Sequence, residues 1–103
     1  MQGHANPYYP LKDVKALVRS GNWDVNEDAL DDAATDFEWT KADIAKTILA
    51  LRPDHFDISD WSRAKPGVML DCYKARKLRG ENVYTHFYIE NKTQLVVNSF
   101  KRL

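Results

Sequence analysis

Glu81-Asn-Val-Tyr-Thr-His-Phe-Tyr-Ile-Glu90 alternates along its whole length: Val83, Thr85, Phe87 and Ile89 fall on one side of an extended chain, and Tyr84, His86 and Tyr88 on the other. Period-two alternation sustained this long, in β-branched and aromatic residues, predicts a β-strand with one buried face. Asn91-Lys-Thr93 is turn material and Leu95-Val-Val-Asn-Ser-Phe-Lys101 reads as the returning strand, so the C-terminal end is predicted to be a hairpin. Working outward, residues 68–73 read as a further strand.

Earlier in the chain the period changes. Leu11, Val14, Leu17 and Val18 recur at helical spacing, with Gly21 where a C-terminal cap belongs. Trp23-Asp-Val25 fits an isolated strand or an extended turn. Asn26 is a plausible N-cap for a helix running to about Thr35, with Ala29, Leu30, Ala33 and Ala34 as its buried face. Thr40 opens a third helix with Asp43 in a capping position, carries Ile44, Ile48 and Leu51 along one side, and ends before Pro53. Helices followed by antiparallel strands predict an α+β fold, with N-terminal helices packed on a C-terminal, mostly antiparallel sheet.

A chain of 103 residues builds one hydrophobic core, so a single domain over residues 1–103 is expected, with 1–10 as an extended arm. At 44% hydrophobic residues it is not a disordered chain. No apolar run approaches the ~20 residues of a membrane span, and the first residues lack the pattern of a signal peptide. Cys72 has no second cysteine with which to form an internal disulfide, which fits a cytoplasmic protein, and it reads as an inert strand residue.

Zero net charge conceals an asymmetry. Residues 1–60 hold twelve acids and six bases, whereas residues 61–103 hold three acids and nine bases. A basic half raises local affinity for phosphates even in a neutral chain. Phosphate-cradling glycine loops, HExxH, paired cysteines and GxSxG are all missing from the sequence. The strand region offers few carboxylates that could face inward, Asp71 and Glu90, too few for a two-metal nuclease, so no metal and no cofactor are expected.

What the strand region does offer is Tyr84, His86 and Tyr88 on one face, Ser99 and Lys101 on a face of the neighbouring strand, and Arg63, Lys65, Lys74, Arg76, Lys77 and Arg79 around the strand before. RNA is cleaved without metal when its own 2′-hydroxyl attacks the adjacent phosphate. A protein assists by accepting that proton, stabilising the crowded phosphate and protonating the departing 5′-oxygen, roles open to Tyr, His, Lys and Arg. Aromatic rings also stack on splayed bases. On residues alone, Tyr-His-Tyr alternation is equally that of a solvated strand face, and that plainer reading is favoured.

A resemblance changes the balance. Leu11-Lys-Asp-Val-Lys-Ala-Leu-Val18 with Gly21, the Ala29-Leu30 helix and Asp36-Phe37 resemble the start of the MqsR family of bacterial toxins. Asp71-Cys-Tyr73, Val83-Tyr84 and Ser99-Phe100-Lys101 are similar to that family's "DVY", "VY" and "SFK" segments, in the same order. The resemblance implies a RelE-like fold and a ribosome-independent endonuclease of messenger RNA, inhibited by an antitoxin encoded beside it. It carries the family's active-site tyrosine onto Tyr84 and its C-terminal lysine onto Lys101, while Leu70 and Ile58 stand where the family has a glutamine and a lysine.

The expected catalytic set is therefore Tyr84, Lys101, His86 and Lys65, with Arg63, Lys74, Arg76, Lys77, Arg79 and Tyr88 as RNA-binding residues. The expected partners are single-stranded mRNA and a cognate antitoxin, with no membrane. A binding module that holds RNA without cutting it, and a protein-interaction module of the same fold, remain as alternatives.

Overall fold

The computed structural model describes residues 6–103, so the first half of the predicted arm lies outside the described residues. The elements are α1 (Leu11–Arg19), β1 (Trp23–Val25), α2 (Glu27–Phe37), α3 (Lys41–Ala50), a 3₁₀ turn (Pro53–His55), β2 (Phe56–Trp61), β3 (Met69–Leu78), β4 (Glu81–Glu90) and β5 (Gln94–Arg102). The five strands form one sheet in the order β1-β5-β4-β3-β2, antiparallel except for the parallel β1–β5 edge. This is the α+β arrangement the sequence pattern predicts.

Each helix is bounded by a local feature. Gly21, at φ +80°, allows Gly21 N–H to reach Val18 O and Asn22 N–H to reach Leu17 O, which closes α1. Asn26 caps α2, its Oδ1 accepting Ala29 N–H at 2.9 Å. Asp43 reaches back to Thr40 N–H at 3.0 Å to start α3. One correction concerns α2: Ala29, Ala33 and Phe37 are its buried face and Ala34 is exposed, because the helix runs two residues past Thr35 and its apolar stripe ends on Phe37.

The core joins Val14 and Val18, Ala29, Ala33 and Phe37, and Ile44, Ile48 and Leu51 to Tyr73, Ala75, Val83, Phe87, Leu95, Val97 and Phe100 of the sheet. The helices thus cover one sheet face and leave the other open. On β5 the core residues Val97 and Phe100 are three apart, an interval that strict alternation would split between faces. A β-bulge resolves the conflict: Ser99 pairs with His86 and Val97 with Phe87, so Asn98 has no cross-strand partner. Beyond the bulge Phe100 points inward, and Lys101 comes opposite Tyr84.

The sequence pattern does not mark β2. It is an edge strand containing Asp57 and Asp60, and its register shifts between Phe56 and Ile58, so its alternation is broken. Strand β3 is longer than residues 68–73 and ends in a turn where Arg79 and Gly80 both have positive φ. Among the described residues no helix is long and apolar enough to cross a membrane.

The described part of the arm, residues 6–10, docks through its backbone. Asp71, fully buried, accepts the N–H groups of Tyr8 at 3.0 Å and Tyr9 at 2.8 Å and the Ser59 hydroxyl. Tyr9 Oη donates to Met69 O at 2.7 Å, and burial beside Asp71 pushes its phenol up to about 12.

Candidate functional site

The open face of the sheet is built by register. Tyr84 lies between Lys74 on β3 and Lys101 on β5, and His86 lies between Cys72 and Ser99. Tyr84 Oη and His86 Nδ1 are 2.8 Å apart, the rings edge to face. Lys101 Nζ sits 5.7 Å from the Tyr84 ring centroid, and Asn98 Nδ2 lies 3.4 Å from His86 Nε2. Tyr84, His86 and Asn98 share a groove of about 340 Å³ with Leu70 and Cys72 on its floor side and Asp60, Trp61 and Arg63 from the end of β2 and the loop after it.

Burial sets the protonation states. The Tyr84 phenol is pushed well above its ordinary range, first by burial and then by contact with the Cys72 thiol, so it keeps its proton. His86 is lowered, first by burial and then by the Lys101 charge, so at neutral pH the imidazole is uncharged. Burial also raises Cys72, which holds it as a thiol. The site therefore presents a phenol that can give a proton, an imidazole that can take one, and the Lys101 cation close enough to act on both.

The remaining basic residues divide. Loop 62–68 is tied across its base by Ser62 N–H to Val68 O and folds over the open face, placing Lys65 Nζ 5.9 Å from the ring of Tyr88, which is buried. Arg63 lines the groove, and Arg76 and Lys77 are exposed at the far end of β3; among the described residues none of these three forms an ion pair. Lys74 pairs with Asp57 at 3.6 Å. Arg79 turns away from the open face: it bonds Asp43 at 3.3 Å and Thr47 at 3.2 Å and stacks on Trp39. Its guanidinium fastens the β3–β4 turn to α3. Ile58 and Leu70 bring apolar side chains to the open face, where they pair with Cys72 and Asp60.

A larger cleft, about 660 Å³, opens between the arm, α1 and the β4–β5 turn, but none of the expected site residues lines it. The groove on the open face is the one that joins proton-transfer groups to cations. Asn98 and Cys72 belong to it although neither was among the expected site residues. The Val97-to-Phe100 interval was the available signal for Asn98, since two core residues three apart on a strand require a bulge between them.

Helices on one face of a mostly antiparallel sheet, with tyrosine, histidine and lysine on the other, make this an α+β protein with a candidate proton-transfer site on its open face. The chain matches the family model described as motility quorum-sensing regulator, toxin of MqsA, over residues 6–102, and it belongs to that family. It is accordingly a toxin of a toxin–antitoxin system, with an antitoxin as its partner. No curated protein matches the chain in sequence.

Proposed function

We propose that this toxin is a metal-independent endoribonuclease that cuts single-stranded mRNA in the cytoplasm and so arrests translation and growth. The observation that carries the proposal is the 2.8 Å contact between a protonated Tyr84 and a neutral His86 beside Lys101. In the reaction the 2′-oxygen of the substrate attacks phosphorus and the bond from phosphorus to the 5′-oxygen breaks. The 2′-proton goes to the unprotonated ring nitrogen of His86, and the Tyr84 hydroxyl protonates the departing 5′-oxygen. Lys101 neutralises charge on the phosphate, with Lys65 as a second cation beside the same face. Arg63, Arg76 and Lys77 hold the flanking backbone as solvated cations. Lys74 and Arg79, each already paired with a carboxylate, contribute less, and Tyr88, beneath Lys65, supports the surface without stacking on a base.

The test is cleavage of a single-stranded RNA in excess EDTA. Activity should persist and leave 2′,3′-cyclic phosphate and 5′-hydroxyl ends. A requirement for added magnesium, with 5′-phosphate products, would sink the assignment. Binding without cleavage would favour the non-catalytic alternative, for which the apolar Ile58 and Leu70 at two family positions are the supporting observation.

Lys101→Ala should slow cleavage by about 10²-fold and weaken RNA binding. It should also move the acid limb of the pH–rate profile. The Lys101 charge opposes protonation of His86, so removing it raises the imidazole pKa, and activity that needs the neutral ring is lost at a higher pH than in wild type. Burial, the larger cause, remains, so the limb should stay below the ordinary histidine range. An unaltered rate and pH profile would remove Lys101 from the mechanism.

A further inference from the structure

Asn98, left without a cross-strand partner by the bulge, has no role in the reading above. Its amide is oriented from outside the groove. Because Asn26 Oδ1 accepts Ala29 N–H, Asn26 Nδ2 turns towards β5 and donates to Asn98 O and Asn98 Oδ1, each at 2.9 Å. With its oxygen held by that donor, the Asn98 amide directs its nitrogen the other way, to His86 Nε2 at 3.4 Å. A primary amide nitrogen can only donate. His86 Nε2 must then be the lone-pair nitrogen, and the neutral ring carries its proton on Nδ1. Nδ1 in turn faces Tyr84 Oη at 2.8 Å, so the imidazole donates and the phenol oxygen accepts.

We propose that Asn98, held in place by the α2 cap Asn26, fixes the Nδ1–H tautomer of His86 and thereby sets the direction in which His86 and Tyr84 pass a proton. The consequence for catalysis rests on the ribonuclease reading. In the complex the 2′-hydroxyl takes the place of the 3.4 Å Asn98 donor at Nε2 and delivers one proton there, the Nδ1 proton crosses to Tyr84 Oη, and the phenol's own proton leaves to the 5′-oxygen. One proton enters and one leaves, and exchange with solvent restores the starting tautomer. The opposite tautomer blocks both ends: Nε2 has no lone pair to offer, and the phenol proton is tied to Nδ1. Cys72, Lys101, Asp60 and Arg63 are the other titratable groups around the ring, and of these Lys101 acts on its charge. Among the described residues only Tyr84 and Asn98 hydrogen-bond its two nitrogens.

Asn98 is thus a positioning residue, and the test reads the ring itself. Nitrogen NMR of uniformly ¹⁵N-labelled protein, recorded without RNA where the ring is neutral, distinguishes a protonated from a lone-pair nitrogen. His55 provides an internal reference of opposite sign, because Arg52 N–H donates to its Nδ1 at 3.0 Å and so requires the proton on Nε2. For His86 the expected pattern is a protonated Nδ1 and a lone-pair Nε2, its signals assigned by their loss in His86→Gln. Asn98→Asp keeps an oxygen for Asn26 but can only accept, so it should place a proton on Nε2 and lower cleavage about 10- to 100-fold, the range for lost orienting partners. A wild-type ring protonated on Nε2, or an Asn98→Asp ring unchanged in tautomer and charge, would overturn the proposal. Because the spectrum needs no substrate, a correct tautomer in a protein that fails to cut RNA would instead refute the ribonuclease reading and leave the role of Asn98 standing.

Discussion

Tyr84→Phe is expected to slow RNA cleavage by about 10²–10³-fold while RNA affinity stays near wild type. The ring, half-buried between β3 and β5, remains, and only the hydroxyl is lost. That hydroxyl bonds His86 at a part-buried site, so the cost to stability should stay within about 1 kcal/mol. The decisive comparison uses a second substrate, a ribonucleoside phosphodiester whose leaving group is p-nitrophenolate. Such a group departs as a stable anion and needs no proton. If Tyr84 is the acid, the variant should be crippled on RNA and nearly normal on the activated ester. Equal defects on both would assign Tyr84 to phosphate binding, and full activity on RNA would remove it from the reaction. Because burial holds the phenol above its usual range, no alkaline loss of rate from Tyr84 should appear below about pH 10.

Why some of this was legible in the sequence and some was not follows from how local each cause is. Strand β4 could be read from end to end because one face packs on the helices without interruption and the other, apart from Tyr88, is partly open to solvent, so chemistry alternates with every residue. The placement of Tyr84 and His86 came from the same alternation. Lys101 needed a stroke of geometry as well: it faces them because the bulge at Asn98 lies before it. Strand β2 escaped because an edge strand with a bulge and exposed acids carries no clean period. Arg79 and Lys74 counted as phosphate contacts when only charge was visible, yet each has a carboxylate partner 36 or 17 positions away. Charge tallies cannot see partners.

The Asp71-Cys-Tyr73 segment shows how three neighbours can serve different ends. Tyr73 is fully buried in the core, Cys72 faces the groove beneath Tyr84 and His86, and Asp71 turns back towards the arm. From sequence, Asp71 was one of the few carboxylates in the strand region, and nothing there assigned it a role. Its partners lie 62 and 63 positions earlier, beyond any local pattern, and they make it a structural anchor.

Asp71→Ala is therefore expected to cost about 2–4 kcal/mol of stability, a large part of the ~5–15 kcal/mol typical of a folded domain. The carboxylate satisfies three donors at once, the main-chain N–H groups of Tyr8 and Tyr9 and the Ser59 hydroxyl, at a fully buried position. Truncation leaves those donors facing a void. Water can reach the Tyr8 and Tyr9 amides only if the arm lifts, and lifting it exposes Tyr9 and breaks its bond to Met69 O. Asp71→Asn should fall between, since the amide keeps one accepting oxygen and loses the charge that strengthens all three bonds. Urea unfolding of the three proteins measures the series, and hydrogen exchange at Tyr8 and Tyr9 should speed up in the order wild type, Asn, Ala. Cleavage by the folded fraction should change little, because Asp71 points to the helix side of β3 while Cys72, Tyr84 and His86 line the other. An Asp71→Ala protein with a wild-type urea midpoint would refute the anchor. A fully stable but inactive one would make Asp71 a residue that serves the chemistry.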